Sequence, residues 1–253
     1  MEKYKQLRHL VHLLVGDKRR SSSVEVERFN KNPNNCYLVS FPRTGSHWLR
    51  MMLELYFERP LLTRTFYYPG RTDFLLLHTH DMELQITRQN VIYLYRNPVD
   101  TIYSQLNYYK EPIDDKYRIL HWTHRYAHHL AKWAYAENFT IKKTLVRYEN
   151  LKEQLVQEFS KIVAHFDGEM DESKLTFCTS QISKERVKQS TGYNQNVMTL
   201  NYEYEDRRVK FCETYASYIW ENVQFVFQAF DDGKCSLDKI FPEKNIDTIM
   251  CQL

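Results

Sequence analysis

Short apolar runs alternate with helical stretches from Cys36 onward, and that rhythm constrains the fold more than any single motif. Cys36–Ser40 (CYLVS) leads through Pro42–Ser46 into a helical pattern reaching Phe57. Phe74–Leu77 (FLLL) is another buried-type run. Val91–Tyr95 (VIYLY) is a third, followed by Asn97-Pro98 and a helix through about Tyr109. Residues 119–139 carry a further helical pattern, and Thr144–Arg147 begins a fourth strand whose helix runs from about Asn150 to Phe166. Strands and helices in this order predict an α/β fold, a single domain with a central parallel sheet flanked by helices. Ligands of such sheets bind beyond the carboxyl ends of the strands, so the chemistry is sought in the residues just after each strand.

Composition narrows the function classes. At 253 residues, with 43% hydrophobic residues and only 6 Gly and 7 Pro, the chain suits one large domain with a buried core. The formal net charge of +3, from 35 basic and 32 acidic residues, is too balanced to argue for nucleic-acid binding. Residues 1–35 hold eight Lys/Arg against four Asp/Glu, so the remainder is about neutral, at 3 − 4 = −1. An anion site in the body must therefore come from local placement. The five cysteines (Cys36, Cys178, Cys212, Cys235, Cys251) are odd in number and lack CxxC spacing, which favours reduced thiols and a cytoplasmic setting. The apolar run Leu10–Val15 is short, contains His12 and lacks a small-residue cleavage site, so it reads as a surface amphipathic helix, with peripheral membrane contact as the alternative, rather than a signal peptide. No stretch reaches the roughly 20 apolar residues of a membrane helix, and no integral membrane segment is expected. Residues 16–35, with a Ser triplet and an Asn/Pro cluster, read as a mobile connection. The expected organisation is an N-terminal helix and polar connection over 1–35, then the domain over 36–253.

Two loops carry the strongest signals. Ser40–Trp48 (SFPRTGSHW) joins the first strand to the first helix, where Gly45 permits a tight turn and the helix start offers N–H groups to an anion. Arg43, Thr44 and Ser46 add a charge and two hydroxyls, but no GK[ST] follows, so this is not a Walker A loop. Trp48 suits either core packing or a stacking surface for a nucleobase. After the third strand, Asn97 suits an N-cap, Pro98 the first helical position and Asp100 the first turn. Arg96 is different: a cation beside a positive helix terminus wants an anion. Ser104, one turn beyond Asp100, adds a hydroxyl on the same face.

Together these segments resemble the sulfotransferases that use 3′-phosphoadenosine 5′-phosphosulfate (PAPS). SFPRTGSHWL is similar to that family's 5′-phosphosulfate loop, and YRNPVDTIYSQLNYY to its 3′-phosphate signature. Between them FLLLHTHD (Phe74 to Asp81) resembles the segment with the catalytic histidine, and LVRYENLK (Leu145 to Lys152) a further shared stretch. The resemblance spans about residues 36–166 and implies a P-loop-like phosphosulfate-binding turn. It implies that Arg43, Thr44, Gly45, Ser46 and His47 surround the 5′-phosphosulfate, with Trp48 and Tyr148 at the adenine. Arg96 and Ser104 would hold the 3′-phosphate, and His80 would be the general base. Arg43 and His78 stand where well-known cytosolic members have lysines. The C-terminal Arg-Lys-Gly element of the family is not clear here, and Arg186 and Lys188 are the best substitutes.

The implied reaction is in-line transfer of a sulfuryl group from PAPS to a hydroxyl or amine of a small-molecule or glycan acceptor, releasing 3′-phosphoadenosine 5′-phosphate (PAP), with no metal. Arg43, helped by His78, would stabilise the growing charge. A divergent small-molecule kinase is the alternative, with Asp81 as its one obvious metal-binding carboxylate; a non-catalytic nucleotide-binding protein of the same fold is another. His121, His124, His128 and His129 share a helix, but without HExxH or a nearby Cys they read as ordinary helix residues. Phe66–Tyr68, Tyr103, Tyr108 and Tyr109 suit either an acceptor pocket or packing. Neither the acceptor nor the oligomeric state is legible.

Overall fold

The computed structural model describes residues 21–182, 202–229 and 237–241. Four parallel strands form one sheet: β1 (Tyr37–Ser40), β2 (Leu77–Thr79), β3 (Asn90–Tyr95) and β4 (Lys142–Arg147), in the order β2-β1-β3-β4. The helices are α1 (Ser23–Asn30), α2 (Ser46–Phe57), α3 (Pro98–Tyr109), α4 (Lys116–Leu130), α5 (Tyr148–Glu153), α6 (Leu155–His165), α7 (Glu172–Ser180) and α8 (Tyr202–Ala229). One π-helical turn, Ala131–Tyr135, extends α4.

Strand alternation divides the core into two layers. Tyr37, Val39, Val91, Tyr93 and Tyr95 pack against α3, α4 and α8. Leu38, Ile92, Leu94 and Val146 point the other way, against α2, α6 and α7. Burial on both faces explains why β1 and β3 read as unbroken apolar runs. Leu38 and Ile92 are fully buried, and truncating either to alanine is expected to cost about 2–5 kcal/mol in denaturant unfolding.

Three local expectations change. Residues 23–30 form a helix rather than part of a mobile connection: Ser22 accepts from Glu25 N, the Glu25 side chain accepts from Ser22 N, and Phe29 packs edge-on against Tyr37. The second strand starts at Leu77, because Leu75 and Leu76 pair with the loop at Pro60 and Leu62 instead. The helical stretch after β4 breaks at Gln154 (φ −135°, ψ 52°) into α5 and α6. Among the described residues no helix is long and apolar enough to cross a membrane.

The register sets Ser40 beside Leu94, Val39 beside Thr79, and Tyr95 beside Arg147, so the strands end at one level. Chain direction across the sheet reverses between β1 and β3, the topological switch point where open α/β sheets take their ligands.

Candidate active site

The turn after β1 is tightly built. Arg43 (φ 72°) and Gly45 (φ 89°) both sit in the left-handed region, which is costly for arginine and free for glycine. Only glycine fits at 45: a Cβ there would lie 2.3 Å from the Tyr148 ring. Gly45 is also the N-cap of α2, and no side chain caps that end, so its amides are available to an anion. Thr44 is buried, its hydroxyl donating to Phe41 O at 2.8 Å, while Ser46 opens the helix. Trp48 meets Tyr148 edge-on, with ring centroids 6.3 Å apart.

The turn after β3 adjoins this one. Asn97 caps Val99 N and Pro98 takes the first helical position, as the sequence predicts. The Tyr126 hydroxyl on α4 donates to Arg96 O and accepts from Arg96 N, fixing that peptide. Arg96 donates to Arg43 O at 3.3 Å, lies 3.7 Å from the Asp100 carboxylate and stacks over Tyr148 at 4.8 Å. Its Nε is buried without a partner. Arg43 donates from Nε to Ser104 Oγ at 3.1 Å, its guanidinium 4.9 Å from the Tyr108 ring centroid. Arg43, Gly45, Trp48, Arg96, Ser104 and Tyr148 therefore converge from three separate stretches of chain. Two residues of α8 join them: the Tyr204 hydroxyl lies beside Ser104, and Arg208 binds Asp100 at 2.6 Å.

The histidine pair stands across β1. The His78 and His80 rings are 4.9 Å apart, on the same side of the chain. His78 Nε2 is 3.0 Å from Ser40 Oγ, and burial pushes its pKa well down, helped by Arg50. His80 Nδ1 lies 2.7 Å from Ser40 O; a carbonyl only accepts, so Nδ1 carries the proton and Nε2 is left as the basic nitrogen. Burial lowers the His80 pKa, and the bond to Ser40 partly opposes the shift. His129 Nε2 donates to His80 O at 2.7 Å, and the Tyr93 hydroxyl donates to His129 Nδ1 at 3.0 Å. Burial drives the His129 pKa down to about 3, so the relay stays neutral. Asp81, the carboxylate a kinase would need, is committed to Arg88 at 2.9 Å and to the Thr79 hydroxyl.

The loop over residues 58–73 reaches the same region. Glu54, fully buried on α2, accepts from the amides of Leu61, Phe66 and Tyr67. Phe66 meets the His47 ring edge-on at 6.3 Å and the Arg50 guanidinium at 4.9 Å. His47 is held neutral, its pKa lowered to about 3 by burial and then by Arg50, Arg64 and Arg43.

Arg186 and Lys188 lie outside the described residues. Tyr93, Tyr204, Arg208, Arg50 and Glu54 escaped the sequence reading, which took His129 as an ordinary helix residue. For Arg50 and Glu54 a signal existed, two charges at i, i+4 in the apolar helix SHWLRMMLELYF. For His129 the signal was its register with Tyr126 and Leu130 on the apolar face of α4. Among the described residues no His, Cys, Asp or Glu cluster is arranged to hold a metal.

The sulfotransferase domain model matches residues 72–213, more than half of the chain. The structure of a mouse sulfotransferase complexed with PAP is similar, with a TM-score of 0.52 at 17% identity, covering 88% of this chain and 95% of that one. Retinol dehydratase in complex with androsterone and inactive cofactor PAP gives a TM-score of 0.51 at 13% identity, covering 80% and 84%. Its complex with retinol and PAP gives 0.50 at 13% identity, covering 83% and 87%. At such identities these likenesses show the fold. A search of curated sequences finds no match. The family match runs from the approach to β2 into α8, taking in the loops that present His80, Arg96, Ser104 and Tyr148, and on that ground the chain belongs to the sulfotransferase domain family.

Proposed function

We propose that the protein transfers a sulfuryl group from PAPS to an acceptor hydroxyl or amine, with His80 as general base. The observation that carries this reading is the His80 ring: Ser40 O occupies Nδ1 and leaves Nε2 basic, beside the turn built to receive an anion. Three features fit the donor. The uncapped start of α2 suits the 5′-phosphosulfate, the unpartnered Arg96 Nε suits the 3′-phosphate, and Trp48 with Tyr148 forms an aromatic corner for adenine.

PAPS supplies the activated sulfuryl group, and the chain's residues do the rest. His80 Nε2 takes the proton from the acceptor as its oxygen or nitrogen bonds to sulfur. The bond from sulfur to the bridging phosphate oxygen breaks, and that oxygen leaves with PAP. Arg43 and the amides of Gly45 and Ser46 stabilise the negative charge collecting there. Arg96, Ser104 and the Tyr204 hydroxyl hold the second phosphate, and His78 adds a neutral donor or acceptor beside the base. Burial keeps His47 uncharged, so it contributes shape and a hydrogen bond rather than charge.

Thermal shift tests the donor assignment. PAP should stabilise the protein far more than AMP or ATP, by about 2.7 kcal/mol at 100-fold over Kd. Transfer from PAPS should then give sulfated product by mass spectrometry across an acceptor library. Equal shifts with all three nucleotides, or a response only to Mg·ATP, would overturn the reading.

A further inference from the structure

The first turns of α8 bring a second arginine to a carboxylate that already faces Arg96. One oxygen of Asp100 lies 3.7 Å from Arg96, and the other accepts from Arg208 Nε at 2.6 Å. The Asp100, Arg96 and Arg208 side chains are 16%, 20% and 26% exposed, so water screens the contest between them little. Tyr204, one turn before Arg208 on α8, stands beside Ser104, one turn beyond Asp100 on α3. Two rungs therefore tie α8 to the helix that starts just after Arg96. Tyr103 fastens the same contact, its hydroxyl donating to Tyr204 O at 2.9 Å and its ring lying 5.2 Å from Phe211.

The distances rank the two arginines at Asp100. Arg208 is within hydrogen-bond reach, whereas Arg96 at 3.7 Å is attracted but not bonded. Arg96 places one terminal nitrogen on Arg43 O and keeps a buried Nε without a partner. A carboxylate and a phosphate compete for such a guanidinium, because both seek its paired N–H groups. The other carboxylate near Arg208 is Glu205, 3.7 Å away on the same helix and exposed, which makes it the weaker partner.

We infer that Arg208 is the positioning residue that sets the preference for a donor with a second phosphate: it holds Asp100 and thereby leaves the Arg96 guanidinium to the 3′-phosphate. This rests on the sulfotransferase reading and adds to it the residue that governs which nucleotide is accepted. Without Arg208, the Asp100 carboxylate closes on Arg96 and the phosphate must displace it. A nucleotide with only a 5′-phosphate makes no use of Arg96, so its binding is indifferent to this exchange.

Calorimetry with PAP and AMP, which differ only by the 3′-phosphate, reads the effect in a double-substitution cycle. Arg208→Gln should weaken PAP by about tenfold or more and leave AMP unchanged. Asp100→Asn alone should change PAP affinity by less than about threefold, since Arg208 already restrains that carboxylate. The two together should bring PAP back to within about threefold of the parent protein, because no carboxylate is left to capture Arg96. Should Arg208→Gln fail to fold, Arg208→Lys runs the same cycle, its point charge holding Asp100 less firmly. Unchanged PAP affinity at Arg208, equal losses for PAP and AMP, or a loss that persists in the double variant would overturn the inference alone. So would a gain in Asp100→Asn as large as the loss in Arg208→Gln, the additive pattern of long-range charge. A parent protein that binds PAP no better than AMP would overturn the donor reading and this inference with it.

Discussion

On the side of His80 proposed for the nucleotide the key groups stand at strand ends: Arg43 three residues after β1, Arg96 directly after β3, Tyr148 directly after β4. On the other side, Arg64 and Phe66 belong to a loop without a strand of its own, and Glu54 fastens it through three amides. The first arrangement inherits its precision from the sheet. The second depends on one buried carboxylate. A fold assembled this way fixes the proposed donor side as it forms the core, while the loop side can be retuned through few positions.

The largest effect should fall on His80, the proposed base, which both sides share. His80→Ala is expected to lose about 10²–10⁴ in turnover while binding PAP normally. Near-normal turnover would remove the assignment, and a larger loss at His78→Ala would move it there. Next, Arg96→Ala should weaken PAP by up to about 100-fold, as loss of a charge-assisted contact predicts, and leave acceptor KM at saturating PAPS nearly unchanged. Unchanged PAP affinity in calorimetry would dissolve the strand-end half of the comparison.

Acid should separate the two sides by sign. His129, normally near 6.5, is lowered to about 3 by burial, so below pH 6.5 the unfolded chain takes up a proton that the folded chain refuses. Its contribution to stability is complete above pH 6.5 and is lost as pH falls, by about 1.4 kcal/mol at pH 5.5. Glu54 acts oppositely: raised to about 7, it favours the folded state progressively as pH falls from 7 toward the ordinary carboxyl range. Urea unfolding between pH 7 and 5.5 should therefore show a shallower acid loss in His129→Gln and a steeper one in Glu54→Gln. Parallel slopes in all three proteins would refute both assignments. The smallest effect is kinetic: Glu54→Gln keeps one acceptor for the loop amides and should raise acceptor KM only about two- to fivefold, with PAP affinity intact.

β1 and β3 were legible because continuous apolar runs report burial on both faces, and β4, exposed or half-buried over its first four residues, was legible only from Thr144. β2 was displaced because Leu75 and Leu76 pair with a loop, and apolar character alone does not say which backbone is the partner. α1 hid in a Ser-rich stretch because the same serine that suggests a loop also caps a helix. Within the site, the turn residues were readable since strand, turn and helix are consecutive. His129 was not, because its partner His80 lies 49 residues away and one histidine of a helical cluster carries no local mark of what it touches. Arg50 and Arg64 meet at Phe66 only once Glu54 has folded the loop back, so their spacing in sequence suggests nothing.

Ser40 ends β1 with its carbonyl holding His80 and its hydroxyl beside His78, and Arg43 follows three residues later on the same chain. The proposed base and the proposed anion turn are thus both referred to the end of one strand, like two marks on one ruler. Because both marks hang from β1, a change in the walls around them would leave the distance between the proposed base and the proposed anion turn to the strand alone.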